Sequence, residues 1–372
     1  MAPAAEAATV DGMTPSKATA ASAAAAAIDP LTWRITSEHL DPTLPQSRKV
    51  HLVVLNWHLP ALTARLWQLA STRLCADGGA NRLHDEIPSL AAAAGIQSSG
   101  PDAARAAFLP DLIKGDLDSV RADVRAYYTS RGVAMVDLSA DQDTTDLTKC
   151  LAYLDEVIRG ANGGANSGAN GGVNGSCGEN GGTDCAEARS SGSGRGGGGS
   201  DGSSGSSSAA ADAQAMARRL RDEHAIVVLG ALGGRLDHIL AHLNTLYSFP
   251  QLDITLCGDG NLVRLLPAGR CVVAPHPAME GPTCGLVPLT GPAVGSSRGL
   301  KWDLDNTELR FRGLISTSNI IEGSEVDVTA NEDLIWITEF REDTRGTPSG
   351  SGGGTGSGTG HGEPISSSGA YA

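Results

Sequence analysis

Residues 51–81 read HLVVLNWHLPALTARLWQLASTRLCADGGAN. The first six form an apolar run of strand length, and ALTARLWQLA spaces its apolar side chains as a helix does. TRLCADGGAN then runs from a second strand into a glycine turn. The alternation continues outward from this stretch. FLPDLIKGDLDS (108–119) gives a third strand with its loop, VRADVRAYYTSRG (120–132) a helix ending on Gly132, VAMVDL (133–138) a fourth strand, and TDLTKCLAYLDEVI (145–158) a helix. AIVVLGALGGRLDH (225–238) supplies a fifth strand and LDITLCGD (252–259) a sixth. Strands separated by helices predict a largely parallel, Rossmann-like sheet covered on both faces.

After about Pro267 the helical spacing stops. RCVVAP, TCGLVPL, LKWDL, ELRFRG, EVDVTA and LIWITEF are short β-like runs punctuated by Gly, Pro, Ser and Asn, the pattern of a small β-sandwich. The division read from these shifts is a disordered extension over 1–48, an α/β domain over 49–266, a β domain over 267–341 and a disordered tail over 342–372. Between 160 and 211 the α/β domain is interrupted by Gly, Asn and Ser in linker proportions, read as a disordered insertion that leaves the sheet intact. MARRLRDEH after it is read as a short returning helix, and the Ala-rich stretch between Asn81 and Phe108 as irregular.

The formal charge of −14 opposes binding to nucleic acid or to an anionic membrane surface. An acidic protein that handles an anionic nucleotide needs a divalent cation, backbone N–H groups and a few basic side chains at one place. The seven cysteines show no paired CxxC spacing, and Cys75, Cys257 and Cys271 sit in apolar runs, which favours buried thiols in a reducing compartment. No apolar run approaches the roughly 20 residues of a membrane span. The start is Ala-rich and contains Ser and Thr, as organelle transit peptides do, but carries Glu6, Asp11 and Asp29 against Lys17, so a cytoplasmic location is the expectation and organelle targeting the alternative.

Four motifs carry chemistry. In KGDLDS, Asp116 and Asp118 flank one residue just past a strand, where open α/β sheets place their ligands, and paired carboxylates suit Mg²⁺; the plainer alternative is a turn in which Asp116 caps the next helix. In SADQDTTDLTKC, Asp141, Asp143 and Asp146 crowd one loop, with Asp143 a possible N-cap, and mutual repulsion there makes a cation attractive. LGALGGRLDH places Gly233 and Gly234 before Arg235, Asp237 and His238, and ADGGANRL repeats the design with Asp77, Gly78, Gly79, Asn81 and Arg82. Paired glycines let a backbone approach a ligand closely, and His238 alone reads as a hydrogen-bonded structural histidine. No GxxxxGK[ST] loop occurs, which argues against a P-loop kinase.

The ordered set ADGGANRL, KGDLDS, DQDTTDLTKC and LGGRLDH, followed by GLKWDL and LISTSN, resembles the thiamine pyrophosphokinase family of eukaryotic type. The resemblance implies an α/β catalytic domain that binds ATP and Mg²⁺, a β-sandwich that binds thiamine, and a homodimer with active sites shared between subunits. It implies transfer of a diphosphoryl group from ATP to the thiamine hydroxyl, giving thiamine diphosphate and AMP. Carried over residue by residue, it makes Asp116, Asp118 and Asp146 the catalytic and metal carboxylates, with Asp77, Gly78, Gly79, Asn81, Arg235 and Asp237 near the nucleotide. Gln142, Thr145, Trp302, Ser316, Ser318 and Asn319 would border thiamine. Without the resemblance, Trp302 reads as a strand residue filling the sandwich core. A metal-dependent phosphohydrolase and a non-catalytic thiamine- or nucleotide-binding regulator are the competing functions.

Overall fold

The computed structural model describes residues 32–163 and 205–341. Its parallel core is built from β2 (Lys49–Val54), β3 (Thr72–Ala76), β4 (Leu112–Gly115), β5 (Ala134–Asp137), β6 (His224–Leu229) and β7 (Ile254–Gly258). These lie in the order β7-β6-β2-β3-β4-β5. Every residue of β6 is buried, as expected of a strand covered on both faces. In β2 the pleat divides the side chains. Val50, Leu52 and Val54 face one apolar cluster with helices α1 (Thr63–Leu69), α2 (Gly79–Ala93) and α4 (Ala122–Thr129), the short α3 (Pro101–Ala107) lying beyond α2. Val53 and Leu55 face a second cluster with α5 (Asp146–Gly163) and α7 (Leu236–Ser248).

The sheet does not end at β7. A hairpin turn at Asp259–Gly260 leads into β8 (Asn261–Leu266), antiparallel to β7, and β15 (Leu334–Phe340), β10 (Glu280–Val287) and β13 (Ser316–Ile320) extend it to ten strands. A second sheet lies in the order β1-β9-β14-β11-β12, from β1 (Thr32–Thr36), β9 (Gly269–Ala274), β11 (Ala293–Arg298), β12 (Thr307–Leu309) and β14 (Val326–Ala330). Trp33, Ile35, Leu266, Cys271, Leu286 and Trp336 fill the space between the two sheets. The β domain is thus a sandwich, one of whose sheets is continuous with the catalytic sheet.

Residues 32–48 correct the expectation of a disordered extension up to residue 48. β1 pairs in parallel with β9, and the half-buried Arg48 guanidinium lies 2.5 Å from the buried Asp253 and 2.6 Å from the His39 ring. Ser37 Oγ accepts the His276 N–H at 2.8 Å. Burial keeps His39 far below the usual histidine range, with Arg48 adding to the effect. The segment is therefore sewn to both halves of the molecule, whereas residues 1–31 and 342–372 lie outside the described residues.

Helix α5 runs three residues past 160, and α6 (Gly205–Glu223) is a 19-residue helix in place of a short one. Its Arg218 and Arg221 stack on Trp33 at 5.0 and 5.2 Å. Residues 164–204 lie outside the described part. The Ala-rich stretch after Asn81 is helical, with Pro88 inside α2 and Pro101 opening α3. LKWDL is a turn flanked by a single bridge at Leu300, and ELRFRG keeps only Leu309 and its neighbours as strand. Among the described residues no helix is long and apolar enough to cross a membrane.

Candidate active site

The ends of β2, β3, β4 and β6 open into a cleft of about 700 Å³, lined by the loops that follow these strands and by the start of α5 and α7. The order of strands reverses here: the chain moves from β2 toward β3 on one side and from β6 toward β7 on the other. Such a crevice is where open α/β sheets take ligands.

The DLD turn explains itself from its middle residue. Leu117 sits at φ +61° with its side chain buried in the core, and Arg125 Nη2 donates to its carbonyl at 2.7 Å. With Leu117 anchored inward, Asp116 and Asp118 on either side both face the cleft. Helix α4 starts only at Ala122 with Arg121 as its cap, so Asp116 is not a helix cap. Asn81 ties the loop down, donating to Ser119 O at 2.8 Å and accepting the Arg121 N–H at 3.1 Å. It is buried and positions the carboxylates without lining the cleft itself.

Asp77, at the end of β3, is the third member. Carboxylate oxygens of Asp77, Asp116 and Asp118 lie within 4.8 Å of one another. Asp77 is buried at φ +41° and accepts the Ser119 N–H at 3.3 Å. Burial raises its pKa, and the Asp116 and Asp118 charges add to the rise. Three convergent hard oxygen donors with mutual repulsion are the donor set that Mg²⁺ matches, so the residues present fit that ion.

Asp116 and Asp118, expected as metal carboxylates together with Asp146, are thus joined by Asp77, expected beside the nucleotide, and Asp146 lies next to them. Asp146 Oδ1 accepts the Asp116 N–H at 3.2 Å and lies 3.6 Å from the buried Lys149 Nζ, so its carboxylate adjoins the trio and braces it. Burial raises the pKa of Asp146 as well, followed by Asp116 and Asp77. This crowding requires glycine at 115, where a Cβ would come within 2.8 Å of Asp146 Oδ1 and 3.0 Å of Asp77 Cβ.

The acidic loop resolves into separate roles. Asp141 builds the turn, accepting N–H groups of Asp143 and Thr144 at 3.1 and 3.2 Å and the Thr144 hydroxyl, which lowers its pKa. Thr145 Oγ1 accepts the Thr148 N–H at 3.2 Å and caps α5, a role that sequence reading gave to Asp143. Gln142, Thr145 and Asp146 line the cleft.

At the β6–α7 turn the glycines make room for a side chain, and Gly233 also lines the cleft. A Cβ on Gly233, at φ +104°, would lie 2.2 Å from Trp57 Nε1 and 2.1 Å from Asp259 Oδ2, and one on Gly234 would lie 2.9 Å from the Trp57 ring. It is an indole that occupies the space. Gly78 is likewise packed against the Asn56 side chain, and Gly79 against the Val54 carbonyl of β2. Arg235 lines the cleft and pairs with Asp237 at 2.5 Å on the exposed surface; Asp237 does not line it. His238 is exposed at the cleft, and its neighbour His242 is the hydrogen-bonded histidine, 2.7 Å from the Ala231 carbonyl.

Asn56, Trp57, Ser119, Lys149 and His242 line the cleft and were missed in the sequence. Asn56 and Trp57 directly follow a strand, the position that singled out Asp116, and that signal was there to use.

The β-domain residues do not join this cleft within one chain. Trp302 is 55% exposed and lies in a turn, so it is no core filler. Buried Asn319 locks it from both sides: the Trp302 N–H reaches Asn319 Oδ1 at 3.2 Å, and Asn319 Nδ2 donates to Trp302 O at 2.9 Å. Ser316 lies 3.4 Å from Asn319, and Ser318 takes φ +57° in the same strand.

Family models place this architecture. Residues 63–167 match the model described as thiamin pyrophosphokinase, catalytic domain, and residues 270–335 the model described as thiamin pyrophosphokinase, vitamin B1 binding domain. Thiamine pyrophosphokinase 2 of Arabidopsis thaliana is 37% identical over 293 residues, covering 78% of this chain and 86% of the relative. The chain belongs to the thiamine pyrophosphokinase family. Thiamine pyrophosphokinase 3 of Oryza sativa is 38% identical over 78% of this chain and 86% of its own. The crystal structure of yeast thiamin pyrophosphokinase superposes with a TM-score of 0.59 at 22% identity, over 83% of this chain and 91% of that one, and shares the fold.

Proposed function

We propose that this family member is a thiamine diphosphokinase, which transfers the diphosphoryl group of ATP to the hydroxyl of thiamine and releases AMP. The observation that carries the reading is the convergence of Asp77, Asp116 and Asp118 at the mouth of the strand-reversal cleft. The hydroxyl oxygen bonds to the β-phosphorus as the bond from that phosphorus to the α-bridging oxygen breaks. Asp77, Asp116 and Asp118 would hold Mg²⁺, which when bound supplies neutralisation of phosphate charge. The chain's own residues do the positioning. Arg235 meets phosphate, and its exposed pairing with Asp237 costs little to exchange for an anion. Asp146 and Lys149 hold the Asp116 backbone in place.

Thiamine, a cationic heteroaromatic, would stack on Trp302. Trp302 lies outside the cleft of its own chain, which supports a homodimer in which one chain's indole completes its partner's site. Exposed Phe311 and Leu314 in the same domain and Leu236 and Leu240 on α7 offer apolar surface for such pairing.

The test is AMP production with and without thiamine. AMP together with thiamine diphosphate is the expected result. Phosphate release that ignores thiamine would indicate a hydrolase, and thiamine binding without AMP a regulator. Mixing Trp302→Ala with Asp118→Asn chains under verified subunit exchange is expected to restore activity that neither parent has. A mixture as inactive as its parents would end the shared-site reading.

A further inference from the structure

We propose that Trp57 is the stacking platform for the adenine base of the nucleotide, and that His242 accepts a hydrogen bond from the same nucleoside. The inference rests on the ATP-dependent reading above and gives its nucleotide a seat.

Trp57 is held without any ligand. Its Nε1–H donates to Asp259 Oδ1 at 3.0 Å, and its ring lies against the backbone of Gly233 and Gly234, where no side chain would leave room for it. The half-buried indole lines the cleft. An aromatic face already fixed in orientation loses little entropy when a flat ring stacks on it.

Its position fits a base. Trp57 follows β2 and the glycine turn follows β6, and between these two strands the order reverses. Asp77 and Asp116 follow β3 and β4, one and two strands further along, a step of roughly 5–10 Å at the spacing of paired strands. A nucleoside seated between the β2 and β6 ends thus sends its phosphates toward the carboxylates. His242, on α7, lines the same cleft; its Nδ1 is engaged by the Ala231 carbonyl, so Nε2 is the nitrogen left for a ligand. Burial keeps the imidazole below the usual histidine range, hence neutral and an acceptor at Nε2. Adenosine offers matching donors in its amino group and ribose hydroxyls. Thiamine already has its own aromatic face in the exposed Trp302, which leaves the base as the flat partner for Trp57.

Titration calorimetry of the full-length chain with AMP, and separately with inorganic tripolyphosphate, tests this. Trp57→Ala is expected to weaken AMP binding about fivefold to a hundredfold while leaving tripolyphosphate unchanged. Trp57→Phe, which keeps a ring over the glycines, should recover most of the affinity. In turnover, the KM for ATP rises and that for thiamine does not. His242→Ala should weaken AMP and spare tripolyphosphate in the same way; unchanged AMP affinity would remove it from the subsite. Equal loss of both ligands, unchanged AMP binding in Trp57→Ala, or a rise in the thiamine KM alone would overturn the assignment. Trp57-independent AMP binding by an active enzyme would overturn only this subsite. Trp57-dependent AMP binding by a protein that makes no thiamine diphosphate would overturn the reaction and keep the subsite.

Discussion

Asp77→Asn is expected to make the protein more stable and nearly inactive. The backbone permits the change, because asparagine is among the residues that best tolerate the positive φ of +41° found there. The amide oxygen can still accept the Ser119 N–H. What disappears is a buried charge facing two others. At the limiting separation of 4.8 Å, each carboxylate pair costs roughly 3 kcal/mol at an effective dielectric of 20. Asp118 is exposed, so water screens much of this, and a net gain of about 1–2 kcal/mol is expected without a divalent cation. The pH dependence has a definite sign. Burial first, and then the neighbouring carboxylates, raise the folded pKa of Asp77, so its charge destabilises the fold above that pKa and costs nothing below the unfolded carboxyl value of about 4. The variant's advantage should therefore be absent below about pH 4, grow as pH rises toward the raised pKa, and level off above it. Urea unfolding in EDTA across that range reads it out. The same titration with Mg²⁺ should raise the wild-type midpoint and leave the variant's almost unmoved, while AMP production falls at least about a hundredfold. A loss of more than about 1 kcal/mol in EDTA, or equal stabilisation of both proteins by Mg²⁺, would refute the reasoning.

Asp118→Asn should abolish thiamine-dependent AMP production with an unchanged far-ultraviolet spectrum, since this exposed carboxylate holds no structure beyond the Ser119 hydroxyl at 2.9 Å. Arg48→Met leaves Asp253 charged and buried, and urea unfolding should show a loss of about 3–5 kcal/mol, much of it recovered by adding Asp253→Leu. Replacing residues 164–204, which are dominated by Gly, Ser and Asn, with a short Gly/Ser linker should retain AMP production. Extending that cut through Arg221 should not, because Arg218 and Arg221 would be lost from Trp33 and thermal unfolding should shift to lower temperature.

The α/β half and its acidic loop were legible because their signals are local: apolar period, glycine turns, and carboxylates directly after a strand. The DLD turn could be placed from six residues of sequence. That Asp77 joins it could not, since the contact arises only when β3 and β4 pair and bring two strand ends side by side. β1 escaped notice for the same reason. Its five residues gain their partner 238 positions later in β9 and present only Trp33 and Ile35 as an alternating pair. The glycine pair at 233 and 234 was visible, but what fills the space above it comes from a loop 176 residues earlier. Trp302 was judged by strand composition, whereas its exposure depends on the Asn319 lock across a turn.

β15 is the last strand among the described residues, yet it lies inside the ten-stranded sheet, between β8 and β10, and carries the buried Trp336. During synthesis, β8 has no partner on that side until residue 340 has emerged, and β10 and β13 have no route onto the catalytic sheet. A nascent chain thus carries two open strand edges until β15 has been made, which is an aggregation hazard that its high negative charge helps to oppose. A premature stop after residue 330 would leave every cleft residue encoded and still deny the protein its closed sheet.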